Sequence, residues 1–229
     1  MRDVTLAIET SNPSGVAPGA TARPGVALLR GGTPLAVEAI ATANAQHDDL
    51  MSAIDRACTA VSVTPRDIAR IAVSIGPGGF TNVRIAVTCA RMIAEVTGAT
   101  LIGVPTALVV AAGTQHSGAA AIALASKGET AHVTIVEQGR MVGECRIMDA
   151  AALANQPVAC VIADSFLPAA MRDVARSNNW PVIAPTFDPL ACAQAAVGLE
   201  AVDPARLSPI YPREPEAVTK WRAMHAAKK

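Results

Sequence analysis

The sequence predicts an α/β protein built as two consecutive lobes, each with the element order βββαβαβα. Three observations carry this. Short apolar runs bounded by glycine and proline alternate with helical stripes. The succession seen up to residue 113 is repeated between 120 and 199. A glycine-rich corner, Gly76-Pro77-Gly78-Gly79, joins a strand to a long apolar helix.

In the first half, Val4–Ile8 reads as a buried strand, "GVALLR" (25–30) as a second, and "LAVEAIA" (35–41) as a third after a "GGTP" turn. A helix over 46–62 places Leu50, Ile54, Ala57, Cys58 and Val61 on one stripe, with Asn44 as its N-cap and Asp48 and Asp49 at its positive start. "RIAVSIG" (70–76) is a strand, 81–97 a helix, "TLIGV" (100–104) a strand, and 105–113 a helix opened by Pro105.

The second half begins with "AAIALAS" (120–126) and "AHVTIVE" (131–137) around a "KGET" turn, then "RMVGECRIM" (140–148) across the hairpin signal Gln138-Gly139. A short helix near 149–155, a strand at 158–163, a helix at 166–177, a brief strand near "WPVIA" and a helix at 188–199 complete it. Each series has the order of a ribonuclease-H-like lobe. Two such lobes make the actin/sugar-kinase/heat-shock-protein (ASKHA) superfold, whose cleft between lobes is the usual nucleotide site. The expected division is 1–104 and 105–229, the second lobe smaller, with the final helix returning across the cleft.

Composition narrows the function. A chain of 229 residues buries roughly 70% of its unfolded surface, and at 51% hydrophobic and 17% charged it is neither disordered nor a solvated coil. Lys+Arg and Asp+Glu balance at 19 each, so the chain lacks the basic footprint of a protein that binds nucleic acid alone. The basic end (Lys220, Arg222, Lys228, Lys229) reads as a solvated tail. The opening "MRDVTLAIETS" has no apolar stretch of signal-peptide length, and no run approaches 18 apolar residues. Five scattered cysteines (Cys58, Cys89, Cys145, Cys160, Cys192) without C-x-x-C spacing predict reduced thiols in a cytoplasmic protein with no membrane association. His47, His116, His132 and His225 form no H-x-x-x-H pair, so no metal site is expected.

The glycine corner fails the familiar nucleotide signatures. Thr81 stands where a dinucleotide fingerprint needs its third glycine, the corner follows the fourth strand, and no acid ends the next one. A P-loop needs a lysine, and none precedes Lys127. No serine lies between the glycines, as a nucleophile elbow requires. A tight β–α turn accounts for one or two glycines by positive φ; three glycines, a proline and Phe80-Thr81 exceed that need and point to a recognition surface.

"SIGPGGFTNVRIAVTCARMIAEVTGATLIGVPT" closely resembles the hallmark segment of the TsaB/YeaZ family, and "LAIETS", "HDDLMSAID" and "LSPIYPREPEAVTKW" resemble its opening, its first helix and its C-terminal segment. The resemblance covers both ends and most of the first lobe and thins between Thr114 and Ala205. It implies a degenerate second lobe and a non-catalytic subunit that supports a TsaD-like catalytic subunit, with a TsaE-like ATPase, in forming N6-threonylcarbamoyladenosine at position 37 of tRNAs. The paralogous catalytic subunit carries an H-x-x-x-H metal pair, which this chain lacks. By the same implication no catalytic residue resides here, ATP and Mg belong to the partner subunits or to a shared interface, and tRNA is met only through the complex. Homodimers and the heterodimer would use the same helices.

Three departures stand out: Glu9 replaces the usual Asp, the 12–24 loop is extended, and "ASKGETAHV" (125–133) lacks the family's acid and tyrosine. Thr10 and Ser11, with Glu9, Gly76 and Pro77, occupy the expected nucleotide or phosphate loop, without a lysine or paired acids beside them.

The predicted partner-binding set is His47, Met51, Gly78, Gly79, Phe80, Thr81, Arg84, Ile85, Cys89 and Met92. Helix 81–97 is apolar almost all round: Val83, Val87, Ala90 and Ala94 suit its own sheet, while Ile85, Cys89, Met92 and Val96 form another stripe. That stripe meets either a partner, or the neighbouring lobe or helix 46–62. Alanines at 86, 90 and 94 allow another helix to approach closely. Arg84 is placed to hold the corner's carbonyls or reach a partner acid, and Gly78 and Gly79 to let a partner backbone approach. Rival readings are an independent ATP-dependent enzyme or peptidase, and a dimerisation module unrelated to tRNA.

Overall fold

Central to the first sheet is β1 (Val4–Glu9), flanked by strands on both sides and with its apolar run covered by helices on both faces. A computed structural model describes residues 3–12, 15–16, 22–40, 49–143, 145–211, 213, 221–222 and 225. β2 (Gly25–Arg30) and β3 (Thr33–Ala39) continue from β1 as an antiparallel meander. On the other side β4 (Ile68–Ser74) and β5 (Thr100–Val104) run parallel to it. The order is β3-β2-β1-β4-β5. Parallel neighbours need crossovers, supplied by α1 (Leu50–Ala60) and α2 (Phe80–Thr97). Both helices pack on one face, over Val4, Leu6, Ile8, Val26 and Leu28.

The second lobe repeats the plan. β6 (Ala120–Lys127) and β7 (Thr130–Glu137) are antiparallel, and β10 (Cys160–Ala163) and β11 (Val182–Ile183) add in parallel beyond β6. β8 (Arg140–Met141) and β9 (Arg146–Met148) both pair with β7. α4 (Ala150–Ala154) and α5 (Ala169–Ser177) cover the outer face. α3 (Thr106–Gly113) and α6 (Pro189–Ala195) lie between the sheets, joining Ala72, Ile102 and Val104 of the first to Ile122, Leu124 and Ile162 of the second. The layers therefore run helix, sheet, helix, sheet, helix: two ribonuclease-H-like lobes, as the element order predicts.

Burial follows these layers. α3 is the helix sandwiched on both sides, with Thr106 through Ala111 all buried, which explains its apolar sequence. α2 buries the single stripe Val83, Ala86, Val87, Ala90 and Ala94. Among the described residues no helix is long and apolar enough to cross a membrane.

Several boundaries differ from the sequence expectation. The strand expected over 140–148 is two pieces: Met141 and Arg146 are five positions apart while their partners Val136 and Val133 are three apart, and Gly143 turns the chain at φ 75°. The helix expected over 188–199 ends at Ala195, where Val197 N–H and Leu199 N–H bond three residues back in tight turns. The helix expected at 166–177 starts at Ala169, after Asp164 has captured the Phe166 N–H at 2.9 Å and its carbonyl the Leu167 N–H at 3.3 Å, in a separate turn. β10 starts at Cys160, two residues after the expected strand start, and β4 begins two residues early, at Ile68. α1 is described from Leu50; Asn44, His47 and Asp48 lie outside the described residues. Asp49 makes no side-chain cap and instead pairs with Arg56 at 3.1 Å, and Val61 caps the helix end, half-buried.

After α6 the chain returns to the first lobe. Val202 N–H bonds to Leu101 O at 2.8 Å, Leu207 is buried in the first-lobe core, and Ile210 N–H bonds to Ile75 O at 2.7 Å. Gly103 makes room for Leu207: a Cβ there would lie 2.6 Å from its Cδ1. Truncating Leu207 to alanine is expected to destabilise the protein by roughly 2–5 kcal/mol, the usual cost of a large-to-small core change. Denaturant titration checks this, and an unchanged midpoint would show that the segment is an appendage.

Candidate functional site

The corner sits where the parallel strands β1 and β4 end side by side. There the loop after β1 meets the turn after β4. Gly79 N–H donates to Ser11 O at 2.6 Å. A Cβ on Gly78 would lie 2.3 Å from that same oxygen, so only glycine fits. Gly76 (φ 97°) precedes a cis bond to Pro77, and its carbonyl accepts from Thr106 N–H at 2.9 Å. The close backbone approach expected at Gly78 and Gly79 is thus made by this chain's own residue 11.

Glu9, at the end of β1, is fully buried. Its Oε1 accepts from Ser11 N–H at 2.7 Å and from Ser11 Oγ at 2.6 Å, while Oε2 has no hydrogen-bond partner. Burial raises its pKa against the opposing hydrogen bonds from Ser11, and the nearby Asp188 charge raises it further. Burial likewise pushes the neighbouring Cys192 thiol well up. Thr10 Oγ1 donates to Asn82 O at 3.5 Å. The structure thus brings Glu9, Thr10, Ser11, Gly76 and Pro77 together, with Glu9 Oε1, Thr10 Oγ1, Ser11 and the Gly76 carbonyl bonded within the protein.

Sequence reasoning missed the next residue. Asn12 Nδ2 donates to Asp164 Oδ2 at 3.0 Å, a buried bond between the lobes at the ends of β1 and β10. Arg172 ties down the loop after Asp164 through the carbonyls of Asp164, Ser165 and Leu167. Only the Ser11-Asn12 adjacency hinted at this pairing; the partner is 152 residues away.

The second group lies on the outer face of the first lobe. Phe80, Thr81 and Arg84 open α2 and are exposed, Phe80 by 50%. Ile85 and Cys89 are half-buried against the first-lobe core, and with Thr81, Arg84 and Thr88 they line a shallow groove of ≈ 310 Å³. Met92 and Val96 stand out at 64% and 86% exposed, and Met51 on α1 at 51%. The stripe expected on α2 is therefore covered at its start and bare at its end. Arg84 stacks over the Phe80 ring at 5.1 Å, and Tyr211 packs on that ring with centroids 5.1 Å apart. Of the corner's carbonyls, those of Gly76 and Gly79 accept the backbone N–H groups of Thr106 and Val83. Among the described residues no three His, Cys, Asp or Glu side chains gather as a metal site would require.

The Glu9 carboxyl yields a prediction. Its folded pKa lies above its unfolded value of 4.5, so the folded state holds the proton longer and stability falls as pH rises between the two values. Glu9→Gln keeps an acceptor for Ser11 and removes the ionisation. Melting temperatures from about pH 4 to about pH 8 should show the variant gaining on the parent as pH rises. Parallel curves would mean that Glu9 ionises alike in both states.

With this geometry in place, comparison with known proteins is informative. The family model described as "TsaD: tRNA N6-adenosine threonylcarbamoyltransferase" matches residues 41–195. No curated protein sequence matches the chain. A crystal structure of an uncharacterized protein "with similarity to peptidase YEAZ", from Pseudomonas aeruginosa, is similar at 20% identity and TM-score 0.63, covering 92% of this chain and 100% of that one. YeaZ from Pseudomonas aeruginosa matches equally, at 20% identity and TM-score 0.63, over 91% and 99% of the two chains. At that identity the likeness is one of fold. The family model spans α1, the β4–α2 corner, the inter-sheet helices and all of the second sheet, and on that match the chain belongs to the TsaD, tRNA N6-adenosine threonylcarbamoyltransferase, family.

Proposed function

We propose that this chain is the TsaB-type, non-catalytic member of its family, which docks a TsaD-like catalytic subunit and supports threonylcarbamoyl transfer to adenosine 37 of tRNA. The observation that carries this is the bare apolar end of α2. Met92 and Val96 project into solvent at the C-terminal end of α2, beside residues 64–66, on the helix whose exposed start is Phe80, Thr81 and Arg84. Large exposed apolar side chains along one helix are what an interface leaves uncovered in one isolated subunit. The alanines at 86, 90 and 94 keep α2 thin and close to its sheet, and they are consumed there.

The loop geometry supports the non-catalytic half of the reading. Glu9 is sealed and held by Ser11, the corner glycines are filled by Ser11, and Asn12 is bonded to Asp164. ATP and Mg in this proposal are held by the TsaD-like and TsaE-like subunits or at the shared interface. The balanced charge of the chain supports contact with tRNA only through the complex. The same face would serve a homodimer when the partner is absent.

Met92→Glu places a charge in the proposed interface, with an expected loss of association on the order of 2–5 kcal/mol. The measurement is binding of the TsaD-like subunit by calorimetry, with circular dichroism showing that the variant folds. Undiminished affinity in a folded variant would contradict the docking face.

A further inference from the structure

The C-terminal segment offers something that the docking face alone does not. It crosses the first lobe as a strap: Val202 bonds to Leu101, Arg91 Nη2 to Ala205 O at 3.4 Å, Leu207 fills the core above Gly103, and Ile210 bonds to Ile75 next to the corner. Three residues further on it is fastened to the second lobe. Arg213 Nη1 donates to Ala125 O at 2.7 Å and its Nη2 to Thr130 Oγ1 at 2.7 Å, across the β6–β7 hairpin. Tyr211 lies between these two anchors, so its backbone is fixed from both sides, yet its side chain is 44% exposed.

What Tyr211 touches gives this placement a use. Its ring packs on Phe80 at a tilt of 38°, and the Arg84 guanidinium lies over that same Phe80 ring. Arg84 has no ion pair among the described residues, so the stacking holds the group in place while its charge stays unmatched. Tyr and Arg, held rigidly beside apolar surface, are the residue types that dominate association energies, because little entropy remains to be lost.

We propose, resting on the docking role above, that Tyr211, Phe80 and Arg84 form a preorganised anchor that the C-terminal strap adds to the docking face. The anchor receives an apolar segment of the TsaD-like subunit that carries a carboxylate for Arg84. The strap is then part of the recognition surface, and Arg213 is a positioning residue that acts through it.

The test compares Tyr211→Ala, Arg84→Glu and Met92→Glu in the full chain, with Val197→Ala as a control on the opposite side of the first sheet. Binding to the TsaD-like subunit is read by calorimetry, and backbone hydrogen exchange of 207–213 is read in the parent chain with and without the partner. Tyr211→Ala is expected to bind roughly tenfold or more weakly, Arg84→Glu at least as weakly, and Val197→Ala as the parent does. Exchange of 207–213 is expected to slow in the complex. Normal binding by Tyr211→Ala alongside lost binding by Met92→Glu would overturn the anchor and leave the docking role standing. Normal binding by both would overturn the docking role as well. If Tyr211→Ala fails to fold, exchange in the parent decides: unchanged exchange overturns the anchor, and slowed exchange supports it.

Discussion

The Gly79–Ser11 backbone bond, allowed only because Gly78 has no side chain, sets the arrangement on which the rest of the molecule depends. β1 and β4 are parallel neighbours, so their ends emerge together and the connections leaving them must share one small space. A glycine corner packed on the other loop's backbone is a dense solution. It directs α2 down the sheet face. It also turns residue 12 toward the second lobe, where Asn12 meets Asp164. On the corner's far side the carbonyl of Ile75 receives the returning C-terminal segment. Three separate parts of the chain are thereby indexed to one turn.

The same packing fits the proposed role, in which a superfold built around a cleft serves as a docking body. Glu9 has lost access to solvent, and its first oxygen is committed to Ser11. The unused surface energy of the molecule lies elsewhere. Burying a large apolar side chain such as Met92 or Val96 releases about 1.5–3 kcal/mol each as an upper range, and both are largely bare on α2. By contrast α3, placed between two sheets, has no free face.

The element order and the stripe of α2 that meets its own sheet were legible because both are periodic signals in one stretch of sequence. The β8–β9 break was not, since it depends on a register in which Met141 and Arg146 are five positions apart and their β7 partners three. The apolar character of α2 had two readings because periodicity shows that a stripe exists, not what covers it. Ile85 and Cys89 meet the chain's own core, and Met92 does not. Asn12–Asp164, Tyr211–Phe80 and Arg213–Ala125 were invisible for one reason: each joins residues more than 80 positions apart. The glycines at the corner looked like a recognition feature, and the close approach they permit is internal.

In the proposed role the chemistry is supplied by the partner subunits, so this chain should matter only in their company. The most direct measurement reconstitutes threonylcarbamoylation of tRNA from purified TsaD-like and TsaE-like subunits with ATP, with and without this chain. The account predicts modified adenosine 37 when the chain is present and little or none when it is omitted. Equal product in both reactions would contradict it.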